Sequence, residues 1–243
     1  MDALVLSEAA RQALAKVWAY RAGSERQAVA RFTRLYGELG AVGAAPEVLA
    51  LAEAAIDDER RHVVICERLA HGYGGTSTST STSEAPPIGP SALGARDRLL
   101  YEIVAFCCVT ESLNAALMAV SRSEAQVDAV RAALREILAD EVGHARRGWA
   151  HLAAERAAGR GDFLAAMLPR MLAATVADEL FTPLPGGVDE TALRRHGELP
   201  EPARLAIFTS TMTDVVLPGL AALGVDPRPA QAWLRAQLEL QGR

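Results

Sequence analysis

Apolar residues recur every three to four positions along nearly the whole chain, the spacing that gives a helix one buried face. The pattern predicts helices over about 7–39, loosened at Gly23, over 46–70, 91–120 and 123–158, and then over 162–181 and 201–223. A last one is expected after Asp226, with Pro227 in its first position. Pro46 suits the first position of the second helix, because no amide bond is lost there. Ser123 with Gln126 three residues on has the form of a capping box and predicts the start of the fourth helix. Between the second and third helices lie His71-Gly-Tyr-Gly-Gly75, a strict Thr/Ser alternation from Thr76 to Ser83, and Glu84-Ala-Pro-Pro-Ile-Gly-Pro90. Such a low-complexity stretch has little to bury and is expected to be a mobile loop. A polar loop with Pro183, Pro185, Gly186 and Gly187 separates the later helices.

Residues 1–158 therefore read as two helical hairpins, and 159–243 as a helical C-terminal extension packing on them. The loop of about 20 residues between the hairpins can extend roughly 66–72 Å, long enough to run the length of a helix. A plain up-and-down bundle carrying an insertion stays open at this point. The 243 residues are 50% hydrophobic and 5% aromatic, with alanine and leucine dominant. That excludes wholesale disorder and favours an all-α fold. No apolar run reads as approaching the 18–20 residues of a membrane span, and the N-terminus lacks a signal pattern. No membrane partner and a cytoplasmic location are expected. A net charge of −5 leaves no footprint for nucleic acid. Three cysteines, Cys66, Cys107 and Cys108, cannot form a disulfide framework and suit a reducing compartment.

Charged residues change this picture. The first hairpin carries Glu25 in one helix and Asp58-Glu59-Arg-Arg-His62 in the next; the second carries Glu111 and then Asp140-Glu141-Val-Gly-His144. Residues three apart share a helix face, so Glu59 and His62 point the same way, as do Glu141 and His144. Four carboxylates and two imidazoles converging in a core require cations to neutralise them. Such oxygen and nitrogen donors suit two first-row metals, iron or manganese. One Glu-x-x-His is commonplace; its duplication, each copy preceded by a lone glutamate, is not.

The stretches Glu25-Arg-Gln-Ala-Val-Ala-Arg-Phe32, Ala-Ile-Asp-Asp-Glu-Arg-Arg-His62, Phe-Cys-Cys-Val-Thr-Glu111-Ser and Leu-Ala-Asp-Glu141-Val-Gly-His144-Ala resemble the ferritin-like superfamily, specifically its bacterial di-iron carboxylate proteins. The resemblance covers about residues 18–155. It implies a ferritin-like four-helix bundle with a long crossover between helices 2 and 3. It also implies Glu25, Glu59, His62, Glu111, Glu141 and His144 as metal ligands and catalytic residues, with Glu59 and Glu141 bridging. Asp58 and Asp140 match aspartates that, in such families, fix a ligand histidine of the opposite hairpin. The cofactor implied is two iron ions, Fe2+/Fe3+, with manganese or a mixed Mn/Fe pair open.

Other residues carry less. The three cysteines read as small core residues, Phe32 and Met118 as core or pocket wall, and His151 as a bundle-end histidine. Asp178-Glu179 reads as a solvated pair. The long extension and the absence of paired Cys-x-x-Cys favour an oxidase or oxygenase acting with O2 on a small organic substrate, in specialised metabolism. An external electron donor and a homodimer are left open. The alternatives are a ferroxidase that binds iron and a metal-stabilised scaffold without turnover.

Overall fold

The computed structural model describes residues 6–75, 85–175 and 188–241, and among them every regular element is helical. The Thr/Ser alternation, the proline-glycine loop at 183–187 and Asp178-Glu179 lie outside the described residues. In chain order the elements are α1 Glu8–Ala41, α2 Pro46–Gly72, α3 Ala95–Ile103, a π-helical segment π1 Val104–Thr110, and α4 Glu111–Glu124. There follow α5 Asp128–Ala157, α6 Leu164–Thr175, α7 Glu190–Arg195, α8 Glu201–Thr211, a second π segment π2 Met212–Val216, α9 Leu217–Ala222 and α10 Arg228–Gln241. They group into two compact units, both of which draw on residues before and after position 158.

The first unit comprises 1–87, 117–140 and 183–203. Helix α1 starts where Ser7 caps it, its hydroxyl accepting the Ala10 amide at 3.2 Å, and runs unbroken through Gly23. Glycine inside a helix costs about 1 kcal/mol against alanine; burial of Ala22 and Glu25 on either side shows the packing that overrides it. Gly43, with φ at 71°, supplies the left-handed turn between α1 and α2, which pack on one another. One core joins Trp18 and Ala22 of α1, Cys66 and Ala70 of α2, Met118 of α4, and Val130, Leu134 and Ile137 of α5. Cys66 and Met118 are thus core residues, as is Phe32.

The capping box at Ser123 is not formed. Helix α4 continues to Glu124, the Ser123 hydroxyl donates back to the Val120 carbonyl at 2.8 Å, and α5 begins at Asp128. The Gln126 amide, which the box needed, instead donates to the Arg195 carbonyl at 2.7 Å. That partner belongs to α7, a helix the periodicity passed over. Asp189 caps it by accepting the Thr191 amide at 2.9 Å, and its Leu193 packs on Ala10 and Leu14. A six-residue helix is too short for a periodic signal and is held by these tertiary contacts.

The second unit comprises 88–116, 141–182 and 204–243. Uniform helices were expected over 91–120 and 201–223; each holds a π segment instead, and the two segments touch. Asp226 accepts the Arg228 amide at 3.0 Å as expected of a cap, although α10 opens one residue after Pro227. The expectation that no apolar run is long enough to cross a membrane is corrected. The stretches 95–124 and 201–222 are both long and apolar enough by length and composition. The first was missed because Glu102 and Glu111 punctuate it, and both are buried.

His151 sits buried beside an ionic clasp in this unit. Glu155 accepts from Arg96 at 2.7 and 3.0 Å and from Arg160 at 2.6 and 2.9 Å. Arg160 first, and Arg96 second, hold the Glu155 carboxyl at about 2, against an ordinary 4.5. A carboxyl lowered on folding stabilises the fold above its unfolded value, and that contribution is lost as pH falls through the folded one. Melting temperatures measured from pH 4.5 down to 2 should therefore fall more steeply for the native chain than for Glu155→Gln. Parallel curves would remove the clasp from the acid response.

Candidate metal centre

Each unit places a glutamate and a Glu-x-x-His together. In the first, Glu25 of α1 and Glu59 and His62 of α2 present ligand atoms all within 4.8 Å of one another. Helical phase explains this: Glu25 follows Trp18 by two turns on the core face of α1, and Glu59, His62 and Cys66 continue one buried stripe of α2. In the second, Glu111 of α4 and Glu141 and His144 of α5 do the same. All six residues are buried, between 0 and 8% exposed. Carboxylates this deep cost several kcal/mol each unless a cation meets them.

Within the first trio the imidazole is the available cation. His62 Nδ1 lies 3.3 Å from Glu59 and 3.9 Å from Glu25. Burial by itself lowers its pKa; Glu25 and Glu59 outweigh burial and raise it to about 11. Its other ring nitrogen, Nε2, is 3.1 Å from Asp140, the partner expected from the next hairpin. Asp140 is itself held by Arg61 at 2.9 Å. An Nε2–H donated to Asp140 leaves the Nδ1 lone pair facing the two glutamates, the tautomer a metal ligand needs. Asp58 has an Arg61 contact at 2.9 Å. Donor chemistry and burial fit a divalent first-row ion, whose binding would displace a His62 proton and leave Nε2–H on Asp140.

In the second trio His144 Nδ1 lies 3.4 Å from Glu141, repeating the arrangement of His62 and Glu59. Sequence reasoning missed Asn114, whose amide donates to Glu111 at 3.3 Å. The signal was present, since Asn114 follows Glu111 by the same three residues that separate each paired glutamate from its histidine. It also missed that π1 ends where Glu111 begins. The Glu111 amide donates to the carbonyl of Phe106, five residues back, and the Thr110 hydroxyl donates to Ala105 at 3.1 Å. A π turn inserts one residue and rotates the helix beyond it by about 100°. Such insertions are rare and frequent at functional sites. Cys107 and Cys108 lie inside π1, both buried and neither in a disulfide. Trp149, also in this unit, donates its indole N–H to Ser112 at 3.3 Å, beside Glu111.

The two trios thus have the same composition, two carboxylates and one imidazole each, buried in helical packing and able to hold a metal ion. Compared with family models, with curated proteins and with solved structures, the chain matches none.

Proposed function

We propose that this chain is a non-haem di-iron oxidase or oxygenase, built on a ferritin-like four-helix bundle with a long crossover and a helical extension. The observation that carries the reading is the pair of buried trios with one composition, one of them with its histidine Nε2 3.1 Å from Asp140. Glu25, Glu59 and His62 would hold one iron and Glu111, Glu141 and His144 the other. Support for the bundle comes from the first unit's core, which draws on four helices.

When bound, a pair of reduced irons supplies the electrons for O2 activation. The chain's own part is binding and orientation. Asp140 holds His62 Nε2 and aims Nδ1 at the glutamates; Asn114 holds one Glu111 oxygen and orients the carboxylate. Burial in the helical packing keeps water from the acids. The substrate is a small organic molecule, with electrons drawn from it or from an external donor. Buried thiols that form no disulfide support a reducing, cytoplasmic setting.

The test is anaerobic titration with Fe(II) followed by rapid mixing with O2. Two Fe(II) per chain and fast oxygen uptake with a transient absorption band are expected. Failure to consume oxygen would sink the oxidase reading. Oxygen uptake that scales with excess iron and leaves ferric mineral would replace it with ferroxidase activity.

A further inference from the structure

Gly148 lies one turn beyond His144 on α5, and in the second unit it meets π1 face to face. A Cβ built at 148 would fall 2.5 Å from the Cys107 Cβ, 3.0 Å from the Cys107 carbonyl carbon and 3.1 Å from the Cys108 nitrogen. The first of these atoms is fixed to the backbone and the other two are backbone. No rotamer change relieves them, so any side chain at 148 must displace the π segment itself. The contact point is Cys107, four residues before Glu111, at the centre of the turn whose extra residue sets the direction of Glu111.

Gly143 provides the contrast. It stands between Glu141 and His144 on the same helix, and a Cβ there would meet nothing within 4 Å among the described residues. Glycine in a helix interior is unfavourable on propensity. Both glycines carry that penalty, but only Gly148 has a close approach that requires it.

We infer that Gly148 is a positioning residue for the second trio: its bare backbone admits π1 against α5 and so holds Glu111 in register with Glu141 and His144. It touches no metal ligand atom and acts through the π turn. The inference rests on reading the trios as metal ligands.

Co(II) titration of the full chain separates the two, followed by visible ligand-field absorption with thermal melts alongside. The native chain should take up two ions. Gly143→Ala should match it in stoichiometry and spectrum while melting higher. Gly148→Ala should keep the ion at Glu25, Glu59 and His62 and lose the other, or hold it at least about 10-fold more weakly, with a changed spectrum, the scale seen when a supporting group is removed. A general loss of stability would lower the melting temperature without selecting one ion. Native cobalt binding with an unchanged Gly148→Ala spectrum overturns the inference and leaves the metal centre standing. No cobalt binding by the native chain overturns the metal centre, and this inference with it. If Gly148→Ala gives no cooperative melt, Thr110→Val decides: it keeps the volume but removes the hydroxyl bond across π1. It should weaken the second ion similarly, and native-like cobalt binding by it overturns the inference.

Discussion

Glu59→Ala should abolish the thermal stabilisation that Fe(II) confers on the native chain under anaerobic conditions. A ligand present at about 100 times its Kd stabilises a fold by about 2.7 kcal/mol. For a chain of this size that corresponds to a rise of roughly 5–10 °C in Tm. Glu59 is buried and lies 3.3 Å from His62 Nδ1, so under the proposed function its loss takes from the first trio an oxygen donor that no surface residue can replace. Asp140→Asn should act more mildly. It keeps an acceptor for the His62 Nε2–H, and removal of such an outer partner typically lowers metal affinity by about 10–100-fold. The order is the test: Glu59→Ala shows no shift with iron, and Asp140→Asn recovers its shift at higher iron. An iron-induced shift in Glu59→Ala equal to the native one would exclude Glu59 as a ligand.

Trp18→Ala should have the largest effect on stability in the absence of metal, about 3–5 kcal/mol. Trp18 has no exposed surface and belongs to a core of the first unit that joins its own helix to three others, with the Arg21 guanidinium 4.5 Å from its ring centroid. Against the 5–15 kcal/mol that usually separates folded from unfolded chains, that is a fall of roughly 6–20 °C in Tm. Trp18→Phe should cost far less. It retains most of the apolar volume, and it removes an indole N–H that finds no acceptor among the described residues. Thermal melts of the metal-free proteins decide this; an alanine variant that melts with the native chain would show that the core collapses around the gap.

Much of the candidate site is legible without coordinates, and particular residues show why. Glu59 and His62, like Glu141 and His144, are three apart, and helical phase alone puts each pair on one face. Glu25 and Glu111 lie far from those pairs in sequence, and only internal repetition ties them in. Asp140 against His62 is what the family resemblance implies, and no spacing within the chain states it. Asn114 obeys the same three-residue rule but has no counterpart in the first half, so repetition could not single it out. The Ser123 capping box fails for a different reason. Capping is a local bond of about 1 kcal/mol, and the Gln126 amide found a carbonyl on α7 nearly 70 residues away.

The chain's own order of residues determined that it is helical, where most helices begin, and which acids and histidines share a face. These properties depend on neighbours within a turn or two, and alanine-rich, periodic sequence states them directly. Tertiary structure alone decided the π turns at 104–110 and 212–216, helix α7, and the need for a bare backbone at Gly148. A π turn trades good hydrogen-bond geometry for one extra residue, so it persists only where packing against another helix selects it. Here the helix opposite π1 carries Gly148, and its identity depends on a contact 40 residues along the chain.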